Sequence, residues 1–328
     1  MTPFSYQRAD SPEGAIRLAQ QPGAKFIGGG TNLLDLIKGG VERPQMLIDV
    51  SRLKLAQIDQ LPDGSVRIGA MVRNSDAANH PVIRRFYPLL SQAFLAGASP
   101  QLRNMATVGG NLLQRTRCHY FYDTAYDACN KREPGTGCAA LEGINRQHAI
   151  LGASNQCIAT NPSDMNVALA ALNASVRVQS AAGERVIPIA EFHRLPGNEP
   201  DRDTTLRAGE LIVAVDLPKS TLADHAYYLK VRDRASYAFA LVSVAAALDI
   251  RNGIVHDAGI ALGGVAHKPW RQREAEKALI NKRLDMQSMH AAADILVRGA
   301  QPYEHNRFKV ELARRSVVRA LSTAGGVA

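Results

Sequence analysis

Three consecutive glycines, Gly28-Gly29-Gly30, stand between a strand-like run, Ala24-Lys25-Phe26-Ile27, and a run with helical apolar spacing at Leu33, Leu34, Leu36 and Ile37. No other segment limits the fold as tightly. Glycine loses more chain entropy on folding than any other residue, so three in a row suit a place where the backbone bends sharply or lets something approach closely. The N–H groups of such a loop, with those of the helix start after it, can hold phosphate. A tight turn is the competing reading. Thr31 or Asn32 is the candidate N-cap, and Gly39-Gly40 the C-cap pair. Two common nucleotide motifs are excluded by spacing. In G-x-G-x-x-G the third glycine would fall on Leu33, and no Gly-Lys-Ser/Thr follows as in a P-loop.

About 80 residues further on, Ala106-Thr107-Val108-Gly109-Gly110-Asn111-Leu112 forms a second small-residue turn with hydroxyl and amide groups. Taken together, the loops suggest a two-lobed cradle for a diphosphate. Asn161-Pro162-Ser163-Asp164 reads by itself as an N-cap at a helix start.

All four cysteines, Cys118, Cys129, Cys138 and Cys157, fall in one 40-residue window. Around them, from Arg115 to Asn161, periodicity fades. Loops this long inside a compact domain are usually functional or disordered. The intervening lengths of 10, 8 and 18 residues match neither a zinc ribbon nor a ferredoxin run. Zinc, an iron–sulfur cluster and unliganded thiols remain equally open on spacing. With no export signal on the chain, metal or redox use is favoured over disulfides.

The 328 residues suggest two domains at roughly 150 residues each. Hydrophobic residues at 46% and charged residues at 21% describe an ordinary globular protein. The longest apolar run, Ala238 to Leu248, is far short of the roughly 18 residues a membrane span needs. A net charge of +9 could point to nucleic acid, but the charge is spread along the chain. Its densest stretches, Lys268–Lys282 and Arg307–Arg319, alternate with apolar residues as solvated helix faces do, or as a docking face for acidic partner subunits would. The first ten residues lack a basic segment followed by an apolar core, so the chain by itself is expected to stay in the cytoplasm.

Strands are expected at Met46–Val50, in a hairpin around Asp63-Gly64, and at Val176–Gln179, Arg185–Ile189, Leu211–Leu217, Ala226–Val231 and Val255–Leu262. An apolar segment runs over Tyr237–Ile250. Helices are expected from Asn74 to about Ala96 with breaks near Pro81 and Pro88, and at Ser163–Asn173, Met286–Arg298 and Lys309–Ser322. The fold class is α+β in two parts, 1–220 and 221–328.

The ordered set Phe26-Ile27-Gly28-Gly29-Gly30-Thr31-Asn32-Leu33, Thr107-Val108-Gly109-Gly110-Asn111 and Ser163-Asp164 resembles the FAD-binding subunits of the xanthine oxidase family, the molybdenum hydroxylases. The resemblance continues through Glu210-Leu211-Ile212 and Tyr228-Leu229-Lys230-Val231-Arg232 and so covers nearly the whole chain. In the commonest family pattern the G-G-N loop runs almost directly into S-D, whereas here 51 residues intervene and carry every cysteine. That insertion is similar to the branch with 4-hydroxybenzoyl-CoA reductase and bacterial aldehyde oxidoreductases, periplasmic ones among them, whose flavin subunit holds an extra [4Fe–4S] cluster.

The resemblance implies a two-lobed FAD domain of the vanillyl-alcohol-oxidase type, with the insertion at about 115–161, followed by a small three-stranded antiparallel sheet with helices. It implies FAD and a [4Fe–4S] cluster on Cys118, Cys129, Cys138 and Cys157. Phe26, Ile27, Gly28, Gly29, Gly30, Thr31, Asn32, Leu33 and Leu34 would wrap the diphosphate and ribityl chain, completed by Thr107, Gly110 and Asn111. Asp164 would hydrogen-bond the cofactor near its ribose or adenine end, Ile212 would give backbone contacts, and Lys230 would sit near the flavin ring. The expected role is electron transfer. An aldehyde would be oxidised in a partner, and electrons would pass from a [2Fe–2S] subunit and a large molybdenum-cofactor subunit through FAD to an external acceptor. Neither nucleic acid nor a membrane would be a partner. Export to the periplasm would then depend on a signal-bearing partner. A free-standing flavin oxidase and a basic metal-bearing nucleic-acid-binding protein are the competing readings.

Overall fold

The computed structural model describes residues 2–327. Its strands are β1 (Ser5–Arg8), β2 (Ala24–Ile27), β3 (Met46–Asp49), β4 (Ile58–Gln60), β5 (Val66–Gly69), β6 (Ser175–Ser180), β7 (Gly183–Pro188), β8 (Leu211–Leu217), β9 (His225–Val231), β10 (Val242–Arg251) and β11 (Ile254–Gly263). They form three sheets. The first is parallel, in the order β1-β3-β2, with all four residues of β3 buried as a central parallel strand requires. The second is antiparallel, β4-β5-β8-β6-β7. The third is antiparallel, β11-β10-β9, and the helices Met286–Val297 and Phe308–Gly325 cover one face of it. This is the expected α+β architecture, a two-lobed unit followed by a small three-stranded sheet with helices.

Two apolar cores separate along the same line. One runs from Ala9 through Leu217 and takes in Tyr228, Ala245 and Ala261. The other fills the space between β10, β11 and the C-terminal helices, and also buries Ile150 and Leu151. The helix Asp164–Ala171 is buried at all eight positions and packs against β11 and the helix Pro88–Ala96. A helix buried all round lies in the interior, and this one fills the first core where that core meets the third sheet.

The helical stretch from Asn74 to Ala96 is broken at its prolines as expected, into Asn74–Asn79, Pro81–Phe86 and Pro88–Ala96, the later two opening on the prolines themselves. Other local expectations are corrected. The T-V-G-G-N turn contains a short helix, Val108–Leu112, capped by Thr107 Oγ1, which accepts from Gly110 N at 3.2 Å. The segment from Tyr237 becomes strand only at Val242. β1 was not anticipated because all four of its residues are exposed and show no alternation. Backbone pairing with β3 holds it.

The insertion 115–161 has one short helix, His119–Tyr122, and otherwise isolated bridges at Cys129–Cys138 and Ser154–Cys157. Side chains do what a sheet would otherwise do. Asn130 Oδ1 accepts from Gly135 N at 3.0 Å and Gly137 N at 2.8 Å, and Arg132 donates to the carbonyls of Tyr120 and Phe121. From the C-terminal layer, Lys309 reaches in fully buried and donates to the carbonyls of His148 at 2.8 Å and Gly264 at 2.5 Å. Burial pushes this ammonium down to about 7.

Candidate cofactor cleft and cysteine pocket

The two glycine loops meet back to back. Gly29 lies so close to the second loop that a Cβ there would fall 1.8 Å from the Met105 carbonyl oxygen. Gly30 has φ of +71°, a left-handed conformation that glycine adopts without strain, so that position favours glycine by conformation. The second loop is pinned from behind by Val108 N to Val72 O at 2.9 Å and Gly109 N to Ala70 O at 2.8 Å.

On either side of this junction lies a cavity. One, of about 430 Å³, is walled by Lys25, Phe26, Ile27, Gly28, Leu33, Thr107, Arg115, Asp203, Arg207 and His267. The other, of about 700 Å³, is walled by Leu34, Asn74, Asn111, Asp164, Lys230, Tyr237 and Phe239. Gly29, Gly30, Thr31, Asn32 and Gly110 belong to both walls. The result is one cleft in two halves with glycine backbone at its waist, which suits a dinucleotide with its diphosphate at the middle.

In the larger half, Asp164 and Lys230 form a buried ion pair, Nζ to Oδ2 at 2.7 Å, and Lys230 also donates to the Ala96 carbonyl at 3.1 Å. Tyr228 OH donates to the other Asp164 oxygen at 2.7 Å. Tyr228 and Lys230 are two apart on β9 and so share a face. Burial, with the Asp164 charge, raises the Tyr228 hydroxyl well above its ordinary value, so it stays a donor. Asp164 and Lys230, expected near opposite ends of the cofactor, therefore lie together in the larger half, with the Asp164 carboxylate already engaged.

In the smaller half, Arg115 bridges Glu42 Oε1 at 2.6 Å and Asp203 Oδ2 at 2.7 Å. Lys131 is buried and pairs with the other Asp203 oxygen while donating to the Pro200 carbonyl at 2.6 Å. Burial opposes a charge on Asp203, yet Lys131 and Arg115 outweigh it and hold the carboxyl well below its usual range. Burial pushes both His193 and His267 down to about 4, so they are neutral at pH 7.

Of the expected cofactor residues, Phe26 through Leu34, Thr107, Gly110, Asn111, Asp164 and Lys230 line one half or the other. Ile212 does not. It is buried in β8 within the main core, and Gly209 and Glu210 before it reach the wall instead. The side chain of Asn32 turns from the cleft to the insertion, accepting from Arg115 N at 3.0 Å and donating to Tyr122 OH at 3.1 Å. Sequence reading missed the Arg115–Glu42–Asp203–Lys131 set, whose members are scattered over 161 positions with no spacing to link them. It also missed Arg117, which stacks between the rings of Tyr122 and Phe239 beside the larger half.

The four cysteines, brought from separate turns of the insertion, line one small pocket with Tyr120, Phe121, Ala140 and Ala159. All are free thiols. Burial pushes Cys118 up to about 12 and Cys157 up to about 11, and raises Cys138. His148 Nε2 lies 3.1 Å from Cys118 Sγ. Among the described residues, no three His, Cys, Asp or Glu side chains gather closely enough to hold a single metal ion. Among them, too, no helix is long and apolar enough to cross a membrane.

A paired-loop dinucleotide cleft joined to a helix-backed three-stranded sheet defines a flavoprotein component of an oxidoreductase. Comparison with known proteins narrows the class. Residues 2–220 match the family described as the FAD binding domain in molybdopterin dehydrogenase, and residues 226–324 match the CO dehydrogenase flavoprotein C-terminal domain. The chain belongs to the FAD-binding subunits of the molybdenum hydroxylases, the xanthine oxidase family. It is 52% identical to the aldehyde oxidoreductase FAD-binding subunit PaoB of Escherichia coli K12, over 99% of each chain. It is 27% identical to the glyceraldehyde dehydrogenase medium chain of Sulfolobus acidocaldarius, covering 97% of this chain and 95% of that one. Its fold superposes on a chain of carbon monoxide dehydrogenase from Hydrogenophaga pseudoflava with a TM-score of 0.77 and 25% identity, covering 100% and 99% of the two chains.

Proposed function

We propose that this chain is the FAD-binding, electron-transferring subunit of a molybdenum-dependent aldehyde oxidoreductase. The observation that carries the reading is the full-length 52% identity to a subunit bearing that name, in a chain whose cleft has the shape a flavin dinucleotide needs. Aldehyde oxidation takes place in a large molybdenum-cofactor partner, and a [2Fe–2S] partner relays the electrons. FAD, when bound, accepts electrons singly or in pairs and passes them to an external acceptor. This chain's own residues shape the cleft. The glycine backbone admits the diphosphate, and Lys230, held in its ion pair with Asp164, would lie near the flavin ring and favour its reduced, anionic form. Lys230→Met is expected to lower the flavin reduction potential in a spectroelectrochemical titration, and an unchanged potential removes that role.

The reading includes a [4Fe–4S] cluster on Cys118, Cys129, Cys138 and Cys157. Support comes from the donor set: four thiols from separate turns face one pocket. A structural zinc ion would need several of them around a single point. A cubane would take one thiolate at each of four irons, so it would need four sulfurs set apart rather than gathered at one point. The proposed location is the periplasm, reached by co-export with a signal-bearing partner.

The deciding experiment is anaerobic purification of the complex with flavin, iron and zinc counted on one sample. One FAD and about four irons per copy of this chain, beyond those of the [2Fe–2S] partner, are expected. FAD with zinc or without metal rejects the cluster, and folded protein without flavin rejects the function. Fractionation of cells carrying the partner genes tests the location, which fails if the complex stays in the cytoplasm.

A further inference from the structure

The cysteine insertion and the first glycine loop are built on each other. Asn32 belongs to the loop, yet both polar atoms of its side chain are spent on the insertion: Oδ1 on the Arg115 amide at 3.0 Å and Nδ2 on the Tyr122 hydroxyl at 3.1 Å. One turn further along, Leu36 is almost fully buried in an apolar cluster with Phe121 and Cys129, against which Cys118 and Tyr122 also pack. Residues four apart share a helix face, so Asn32 and Leu36 present the same side to the insertion. Arg115 adds a third tie. Its guanidinium lies over the Phe121 ring, 4.8 Å from the centroid, while pairing with Glu42 and Asp203 at the cleft wall. The back of the cofactor loop is thus a surface containing two of the four cysteines.

We propose that cluster assembly and FAD binding in this chain are thermodynamically linked, with Tyr122 and Leu36 as the positioning residues that carry the linkage through Asn32. This rests on the FAD-and-cluster reading above. A loaded cluster ties four separate turns of the insertion together. The insertion then holds Asn32 and Leu36, and with them the loop, in the arrangement FAD takes. Without the cluster those turns are freer, and FAD binding bears the entropy of ordering both loop and insertion. Linkage is reciprocal, so bound FAD must protect the cluster by the same factor.

The test uses the purified complex. FAD dissociation constants are measured by the fluorescence of released flavin, before and after iron is removed from this chain with oxidant and chelator. Circular dichroism monitors the fold. Iron binding is measured with and without FAD. We expect FAD to bind about 10-fold more weakly after iron removal, and iron to be held correspondingly less well without FAD, a coupling ordinary in size. In Tyr122→Phe, which removes one hydrogen bond outside the cleft, the coupling should shrink while both ligands still bind; Leu36→Ala, at a residue that also lines the smaller half of the cleft, should shrink it as well. Equal FAD affinities with and without iron overturn the linkage and leave the cluster reading standing. Undiminished coupling in both variants overturns the route through Asn32. A complex whose flavin subunit carries FAD but no iron overturns the cluster reading and the linkage with it.

Discussion

The insertion 115–161 and the C-terminal layer are neighbours held together by different means. The C-terminal layer is specified by apolar burial: β10 and β11 present Val242, Val244, Leu248, Ile260 and Leu262 to Leu296, Val317 and Leu321 on the covering helices. The insertion has little regular structure, and its apolar contacts are divided among small clusters around Phe121 and around Tyr120 and Ile158, with Ile150 and Leu151 in the C-terminal core. It is specified by side-chain hydrogen bonds such as those of Asn130, Arg132 and Lys309, and by buried charge pairing at Lys131. Burial is non-directional and tolerates many sequences of similar pattern. A polar network works only when every partner is in place. The first design supplies stability. The second supplies a fixed arrangement of chemical groups, and it is the insertion that carries the cysteines.

If that contrast is right, each region should fail in its own way. The largest effect belongs to Cys129→Ser, expected to abolish the iron of this chain while leaving the unfolding transition of the C-terminal layer in place. Full iron retention, measured by colorimetric assay, would refute the ligand assignment. Leu321→Ala should do the reverse. It removes a fully buried side chain and is expected to cost about 3 kcal/mol in urea unfolding, with flavin and iron per folded chain unchanged. Loss of cofactors in the folded fraction would show that the two regions are not separable in this way.

Lys131→Met sharpens the comparison from inside the insertion. The variant keeps the stem of the side chain but leaves Asp203 with Arg115 alone. A loss of about 2 kcal/mol is expected, less than for a buried pair broken outright because Asp203 keeps its second partner. A neutral or stabilising result would mean the buried charges are dispensable.

A pH dependence at the cleft wall tests the buried groups on the other side of the insertion's boundary. The folded chain keeps His193 and His267 neutral down to about 4, against an ordinary 6.5 in the unfolded chain. Between those values the unfolded state binds more protons, so stability is full above about pH 6.5 and falls as the pH drops toward 4. A loss of about 2 kcal/mol per histidine between pH 7.5 and 5 is expected from denaturation midpoints. The double variant His193→Gln/His267→Gln should flatten that slope.

Much of the molecule was decided by sequence alone. The paired glycine loops, the buried helix after Ser163, the strand Leu211–Leu217 and the amphipathic C-terminal helices follow from local chemistry: glycine's freedom, a capping hydroxyl, and apolar residues recurring at the period of their element. Those signals lie within a few residues of one another. Only tertiary structure decided the rest. β1 has no apolar pattern because backbone pairing with β3 and the bonds of Tyr6 and Arg8 to Asp49 hold it, rather than a buried face. The Arg115–Glu42–Asp203–Lys131 set joins residues far apart in sequence, and such pairs leave no period to read. Asn32 stands in the cofactor loop by sequence, yet its side chain serves the insertion, because a hydrogen bond goes to whichever partner the fold brings within about 3 Å. Ile212 lies beside the cleft in sequence and inside the core in space, since β8 is the central strand of its sheet and Leu211 to Val215 are buried on both of its faces.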